Sequence, residues 1–202
     1  MGDSILKPSF FQKKDALQCA KALLGKKLVT RINGNYCSAL ITETEAYCAP
    51  EDKASHAYKY RKTARTQTMY KKGGTAYVYL CYGIHRLFNV VCGPEGMPHA
   101  VLIRALQPIS GIELMMKRRK MEKAGLRLSS GPGTLSQAMG IDLSLNGHLL
   151  SPENGIWIED ASANIEEEEI VSTTRIGIDY AGEWALKPWR FYIANNQWIS
   201  KN

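Results

Sequence analysis

Residues 39–47 read ALITETEAY, a pattern that predicts a β-strand leaving an apolar core and carrying two carboxylates. Successive side chains of a strand point to opposite faces, so the two glutamates should share one face with Ile41 and Tyr47. Two acids beside an aromatic ring suit a site that needs a base next to a stacking platform, with Glu43 expected to be the less important acid. The alternative is a solvated strand face, because Glu and Tyr side chains are often exposed.

The patterns on either side predict a mixed α+β fold. A helix is expected at 15–24, capped by Asp15 and ended by Gly25. Strands at 26–31 and 37–47 flank the hairpin signal Asn33-Gly34. Further strands are expected at 75–81, 100–105, 155–159 and 190–193, and further helices at 110–125, opened by a capping box, and at 134–139. Strands and helices without a regular βαβ repeat are typical of the α+β class.

The composition limits the functions that the chain can have. Its 202 residues predict a single domain spanning 1–202, and its net charge of +7 suits nucleic acid, an anionic membrane or an acidic partner. No apolar run approaches the roughly 18 residues of a membrane span, and residues 1–6 lack a signal-peptide pattern. The five cysteines include no C-x-x-C pair, so reduced thiols and no metal site are expected. These observations predict an intracellular protein that is not secreted.

A basic segment between Lys53 and Lys72 contains seven lysines and arginines and no acid after Asp52. It lacks a helical apolar stripe, so an irregular surface arm is expected. For a lysine-rich run alone, a solubilising loop is the usual interpretation. Tyr58, Tyr60 and Tyr70 are interleaved with the charges, and this favours a partner with a phosphate backbone.

A second aromatic stretch runs from Tyr77 to Gly83. Tyr77 and Tyr79 should share a strand face, while Tyr82 stands beside Gly83 where the strand should turn. Ordinary aromatic packing is the commoner fate of a strand tyrosine. Outward-facing rings on a basic surface are, however, what base stacking or insertion into a duplex requires.

In this order along the chain, these motifs resemble the 3-methyladenine (alkyladenine) DNA glycosylase family. The resemblance runs from about residue 9 to 200, and although each motif is short, the ordered set is specific. The matching motifs are ETEAY at 43–47, PED at 50–52, ASH at 54–56, GTAYVY at 74–79, YG at 82–83, FNV at 88–90, LIRALQP at 102–108, SGP at 130–132, RIG at 175–177, AGEWA at 181–185, KP at 187–188 and RF at 190–191.

The resemblance implies a single mixed domain, a curved antiparallel β-sheet surrounded by short helices, that removes damaged purines from double-stranded DNA. It implies that Glu45 is the base that activates water, with Arg104 beside it. It implies that Tyr82 is the wedge filling the gap in the duplex. The expected DNA contacts in the basic segment are Arg61, Arg65 and Lys72.

The same resemblance implies a pocket for the extruded base. Tyr47, His56 and Tyr79 are its expected walls, and Asn89 is the floor residue that disfavours a guanine amino group. The sequence departs from the family pattern at Cys48 and at His85-Arg86, which leaves the lesion preference open among 3-methyladenine, 7-methylguanine, hypoxanthine and ethenoadenine.

The residues also define the expected reaction and its alternatives. Breaking an N-glycosidic bond builds positive charge on the sugar, which a carboxylate can stabilise while it activates water. No lysine lies in the motifs around Glu45, so a Schiff-base lyase step is not expected, and neither a metal nor an organic cofactor is implied. The expected protein is a monomer acting on DNA in a prokaryotic cytoplasm or a eukaryotic nucleus, with no membrane partner. A non-catalytic nucleic-acid-binding module and a hydrolase of free nucleosides remain alternatives.

Overall fold

The computed structural model describes residues 4–13, 15–161 and 165–200, so residues 1–3, which contribute to the signal-peptide prediction, lie outside it. In the described chain, nine strands join one antiparallel sheet in the order β1-β7-β2-β3-β6-β5-β4, and β9 pairs with β3 and β8. The mixed α+β class is therefore confirmed. The strands are β1 (Ser4–Ile5), β2 (Lys27–Ile32), β3 (Asn35–Cys48), β4 (Ala76–Cys81), β5 (His85–Cys92), β6 (His99–Ser110), β7 (Ile156–Asp160), β8 (Ile170–Thr173) and β9 (Arg190–Ile193).

Short helices surround this sheet. The α-helices are α1 (Pro8–Gln12), α2 (Ala16–Leu23), α3 (Ile112–Arg119) and α4 (Pro132–Met139). The 3-10 helices are Tyr58–Tyr60, Gln67–Tyr70, Leu126–Leu128, Leu143–Leu145, Pro152–Asn154, Glu167–Glu169 and Asp179–Leu186. No helix in the described ranges is long and apolar enough to cross a membrane.

The sheet separates two layers of unequal size. Its main core is formed with the α-helices and includes Leu23 of α2, Met115 of α3 and Leu135 of α4. Two smaller apolar clusters, one around Tyr77 and one against Tyr47, are formed with loop and 3-10 segments instead. The thinner layer leaves room for a cavity on its side of the sheet.

A β-bulge in β3 corrects one prediction from strict alternation. The pairing of β3 with β6 shifts register between Ile41 and Glu43 and again before Thr44. Ile41 consequently packs in the main core together with Ala46, whereas Tyr47 belongs to a cluster in the thinner layer. Ile41 thus does not share the face of Glu45 and Tyr47, because an extra residue in one strand reverses the alternation beyond it.

The same bulge marks a change of neighbour for β3. Residues 35–40 pair with β2, while Glu43, Thr44 and Glu45 pair with β9. Gly25, at a φ of +75° that favours glycine, donates its N–H to the Ile41 carbonyl at 2.8 Å where β2 begins. The glutamates therefore lie between β6 and β9, in the centre of the sheet.

Local signals predicted several elements correctly and one incorrectly. Asp15 caps α2 in a reciprocal capping box with Gln18, and Asn33 and Gly34 have φ of +51° and +76° in the β2–β3 hairpin. The capping box expected at Ser110 is wrong, since Gly111 is the N-cap of α3 and makes no side-chain cap. The helix also ends at Arg119 rather than near 125, because Lys120 takes the left-handed conformation with φ of +53°.

Candidate active site

A cavity of about 580 Å³ opens on the thinner layer, above the middle of the sheet. The long central strands supply its base and the 3-10 segments supply its rim. Among its lining residues are six of the predicted site residues: Tyr47, His56, Arg65, Tyr79, Asn89 and Arg104. Tyr82 also lines it, whereas Arg61 lines a neighbouring cavity and Lys72 lines neither.

Glu45 is fully buried beside this cavity, which contradicts the solvated-face alternative. Its Oε1 atom accepts from the Ile176 N–H at 2.8 Å and lies 3.2 Å from Nη1 of Arg104. Its Oε2 atom accepts from the Tyr47 hydroxyl at 2.8 Å. A carboxylate offers about four lone-pair sites, so three donors leave one acceptor site for a further ligand such as water.

Tyr47 is a hydrogen-bond donor to this carboxylate and not a competing anion. Burial, together with the negative charge of Glu45, raises the pKa of the Tyr47 phenol well above its usual value. Because the phenol keeps its proton, Tyr47 can hold the carboxylate in place while its ring forms part of the cavity wall.

Glu43 anchors the arginine that faces Glu45. It is fully buried, and its Oε1 atom lies 3.0 Å from Nε of Arg104 and 2.6 Å from Nε of Arg190. The backbone N–H and the hydroxyl of Ser200 donate to the same carboxylate. Burial alone would lower the pKa of Arg104, but Glu45 and Glu43 outweigh it and raise that pKa, so Arg104 remains a cation held between the two acids.

A second buried ion pair closes the other side of the site. Arg175 contacts Asp52 through two nitrogens, at 2.6 Å and 2.9 Å, and donates to the Ala46 carbonyl at 2.8 Å. Its guanidinium carbon lies 4.8 Å from the centre of the Tyr47 ring. This pair joins the turn after β3 to the segment that places the Ile176 N–H against Glu45.

The aromatic wall is built from β4 and from the loop that holds His56. The rings of Tyr77 and Tyr79 are 5.3 Å apart, and His56 meets Tyr79 edge to face at 4.7 Å. Nδ1 of His56 lies 3.0 Å from the Tyr77 hydroxyl. Burial, reinforced by Arg65 and Arg61, lowers the pKa of His56 to about 4, so its imidazole is neutral near pH 7.

The floor of the cavity combines one amide with apolar side chains. Asn89 is buried in β5, and its Nδ2 donates to the Tyr77 carbonyl at 3.2 Å. Leu87, Ala100 and Leu102 line the same floor. An apolar cavity with a few polar groups is the usual form of a small-molecule site.

Tyr82 stands at the tip of the β4–β5 hairpin with 89% of its surface exposed. Its φ of +50°, followed by +73° at Gly83, is the pattern of a two-residue turn that matches the strand twist. Leu80 and Ile84 beside it are also exposed, at 40% and 68%. The turn thus holds an apolar tip beside the mouth of the cavity.

The basic segment is less free than an irregular arm. Ala57 and Met69 are buried in the small cluster under Tyr77, and they attach this segment to the sheet. Arg65 remains exposed, and its guanidinium carbon lies 4.7 Å from the centre of the Tyr79 ring. Arg61 lines the neighbouring cavity of about 320 Å³ together with Lys53, and Lys72 is exposed farther along.

Several functional groups had no signal in the residue patterns. The Asp52–Arg175 pair and the Ser200 contact with Glu43 join positions more than 100 residues apart. Tyr180, 73% exposed, lines both cavities. Only the motifs PED and RIG pointed toward any of these residues, and without a role. In the described ranges, no three His, Cys, Asp or Glu residues are grouped so that they could hold a metal ion.

Comparison with known proteins gives consistent results over almost the whole chain. The model of a family described as "Methylpurine-DNA glycosylase (MPG)" matches residues 9–197. A protein of Natranaerobius thermophilus is 47% identical over 194 residues, covering 96% of this chain and 97% of its own. A protein of Chlamydia pneumoniae is 49% identical, with 94% and 95% covered. Both carry the name "Putative 3-methyladenine DNA glycosylase".

Proposed function

The chain belongs to the methylpurine-DNA glycosylase family, and from this membership we propose that it hydrolyses the N-glycosidic bond of damaged purines in duplex DNA. The observation that carries the proposal is the buried Glu45 carboxylate, held by three donors beside an aromatic cavity. A binding module has no use for a fixed carboxylate at the edge of such a cavity. A family of DNA glycosylases supplies the substrate class, and the net charge of +7 suits DNA.

The cavity requires that the nucleotide leave the helix. A base inside a duplex is stacked and paired, so enzymes that act on it extrude it into a pocket at a cost of a few kcal/mol. Tyr47, Tyr79 and His56 offer the walls for such a base, and Asn89 offers a polar contact on the floor. The neutral His56 can accept from Tyr77 through Nδ1 and still donate through Nε2, which suits an acceptor on a purine edge.

Water attack follows from the arrangement around Glu45. The acceptor site left on Oε2 orients a water molecule toward C1′ of the extruded nucleotide. As the bond from C1′ to the base breaks, its electron pair leaves with the purine, and the sugar gains positive charge. Glu45 stabilises that charge and takes the proton of the water, while Arg104 keeps the carboxylate in position.

We propose that the reaction stops at the abasic site. A lyase step proceeds through a Schiff base and therefore needs an amine nucleophile. Within the described ranges, no lysine is among the residues that line the cavity. Its polar side chains are hydroxyl, imidazole, amide and guanidinium groups, which do not form that intermediate under these conditions.

Tyr82 and the basic segment supply the contact with the duplex. An exposed ring on a fixed turn can enter the gap left by the extruded base. Arg61, Arg65 and Lys72 can contact phosphates along the same strand, because cations on this surface replace condensed counterions. We propose that a single copy of the chain acts on intracellular DNA in this way.

The test of the function is the release of free base from methylated duplex DNA. We expect free methylated purine to appear in solution, with strand breaks arising only after the abasic product is treated with alkali. Hydrolysis of free methylated nucleosides at a similar rate would point to a nucleoside hydrolase. Tight binding without any base release would point to a binding module.

Tyr82→Ala and Tyr79→Ala are expected to fail in different ways. Loss of the Tyr82 ring removes the group that fills the gap, so base release from a fully paired duplex should fall more than release from a mismatched site, where unpairing costs less. Tyr79→Ala should slow both substrates alike, because the wall is needed wherever the base came from. An aromatic stack is worth about 1–3 kcal/mol, so each loss should exceed about fivefold.

Single-turnover rates on the two duplexes, together with a fluorescent base that reports flipping, measure this difference. Leu143→Ala is a matched control, since Leu143 is another exposed apolar residue, 47% exposed, outside the cavity lining. If Tyr82→Ala leaves the flipped fraction unchanged, the wedge is another residue, with Ile84 and Tyr180 as the next exposed candidates.

A further inference from the structure

The charged groups that surround the cavity are paired, with one exception. Arg104 lies between Glu45 and Glu43, and Arg175 is neutralised by Asp52. His56 is neutral, as its low pKa shows. Arg65 lines the same cavity, and in the described chain no carboxylate lies within ion-pair distance of it. The cavity wall therefore carries one uncompensated positive charge.

This charge lies on the ring proposed to stack on the base. The guanidinium carbon of Arg65 is 4.7 Å from the centre of the Tyr79 ring. A base stacked on Tyr79 at the usual centroid separation of roughly 4.5–7 Å stays near that guanidinium, within or close to a screening length of about 10 Å. The effect of Arg65 on its surroundings is visible at His56, whose pKa is lowered by burial first and by Arg65 next.

We infer that Arg65 selects damaged purines by their charge, favouring bases that are neutral in DNA, such as hypoxanthine and ethenoadenine, over cationic bases such as 7-methylguanine. This inference rests on the proposed glycosylase function and names the substrate class of the same site. An aromatic ring normally attracts a cationic base through its negative face. On Tyr79 that attraction is already satisfied by Arg65, which repels a second cation.

The chemical step favours neutral lesions for the same reason. When a neutral purine leaves, the electron pair of the C1′–N bond goes to the base, which departs as an anion unless it gains a proton. A cationic purine takes the same electron pair and departs as a neutral molecule. In both cases the water oxygen bonds to C1′ and its proton goes to Glu45. Arg65 stabilises the developing negative charge of the first leaving group and gives no such help to the second.

The experiment compares two lesions in one sequence context. Hypoxanthine and 7-methylguanine are placed in otherwise identical duplexes, and single-turnover rates are measured with saturating protein, so that differences in DNA binding cancel. For Arg65→Gln we expect the hypoxanthine rate to fall by about tenfold, the size expected for one partly screened charge at this distance. We expect the 7-methylguanine rate to stay the same or rise.

Two further variants separate charge from other roles. Arg65→Lys keeps the positive charge without the planar guanidinium, so the ratio of the two rates should stay close to that of wild type. Arg61→Gln removes a neighbouring charge that does not contact the Tyr79 ring, and we expect it to change both rates by the same factor.

The outcomes distinguish the inference from the proposed function. If wild type releases both bases and Arg65→Gln lowers both rates equally, Arg65 only contacts DNA or supports Tyr79, and charge selection is wrong. The same conclusion follows if Arg65→Lys shifts the ratio as much as Arg65→Gln does. If wild type releases neither base, the proposed glycosylase function is overturned before the selectivity question arises.

Discussion

We expect Glu45→Gln to reduce single-turnover base release by at least about a thousandfold, since general-base and electrostatic assistance are each worth roughly 10²–10⁴. Glutamine cannot take a proton from water or balance the positive charge on the sugar. Binding to damaged DNA should survive, because the Glu45 carboxylate is buried behind the cavity wall and does not meet the duplex.

The geometry around Glu45 explains why this variant should fold. The amide oxygen of glutamine can occupy the position of Oε1, where it still accepts from Ile176 N–H and Arg104. The amide nitrogen then takes the position of Oε2 and donates to the Tyr47 hydroxyl, which can act as an acceptor. The hydrogen-bond count is conserved while the charge is lost.

The measurement is a single-turnover excision rate combined with a binding titration on the same duplex. Glu51→Gln is the matched control, since Glu51 is an exposed acid in the neighbouring turn and does not line the cavity. A Glu45→Gln rate within tenfold of wild type, a change of only about 1.4 kcal/mol, would show that another group activates the water.

Glu43→Gln should lower the free energy of unfolding by on the order of 3 kcal/mol, the range found when one partner of a buried ion pair is removed. From the strand pattern alone, Glu43 is the less important acid and its replacement should be mild. The structure indicates otherwise, because Glu43 is fully buried and contacts Arg104, Arg190 and Ser200 at once. Activity should fall as well, since Arg104 loses the group that positions it.

Urea unfolding measures this loss as a lower midpoint with an unchanged slope. Glu167→Gln is the control for the chemical change, because Glu167 pairs with Lys21 at 2.7 Å on the surface with 79% of its side chain exposed. The midpoint of the control should match that of wild type. If Glu43→Gln also unfolds at the wild-type midpoint, the Glu43 cluster is not a structural anchor, and Arg104 must be positioned by Glu45 and Ser200.

Elements with signals inside a short window were predictable. The capping box of α2, the Asn33-Gly34 turn and the alternation around Tyr77 and Tyr79 depend on residues within a few positions of each other. The β4–β5 turn that exposes Tyr82 belongs to the same group, because positive φ at two adjacent residues is a local requirement.

Predictions failed where distant segments override local preference. The sequence around Ser110 contains a capping box, yet Gly111 opens α3 because a side chain at that position would meet the Tyr36 carbonyl at 2.5 Å. The basic segment reads as an irregular arm, yet Met69 and Ala57 fill a small core under Tyr77 that the segment itself does not reveal.

The sequence by itself determined the α+β class, the strand that carries Glu45 and Tyr47, and the ordered motifs that identify the family. Only the tertiary structure decided that the bulge after Ile41 turns the glutamates away from the main core, that Ser200 and two arginines close on Glu43, and that Arg65 lies on Tyr79. The physical reason is range. Propensity and alternation act over neighbouring residues, whereas a bulge arises from the change of partner strand and a buried charge is tolerated only where groups far along the chain arrive to compensate it.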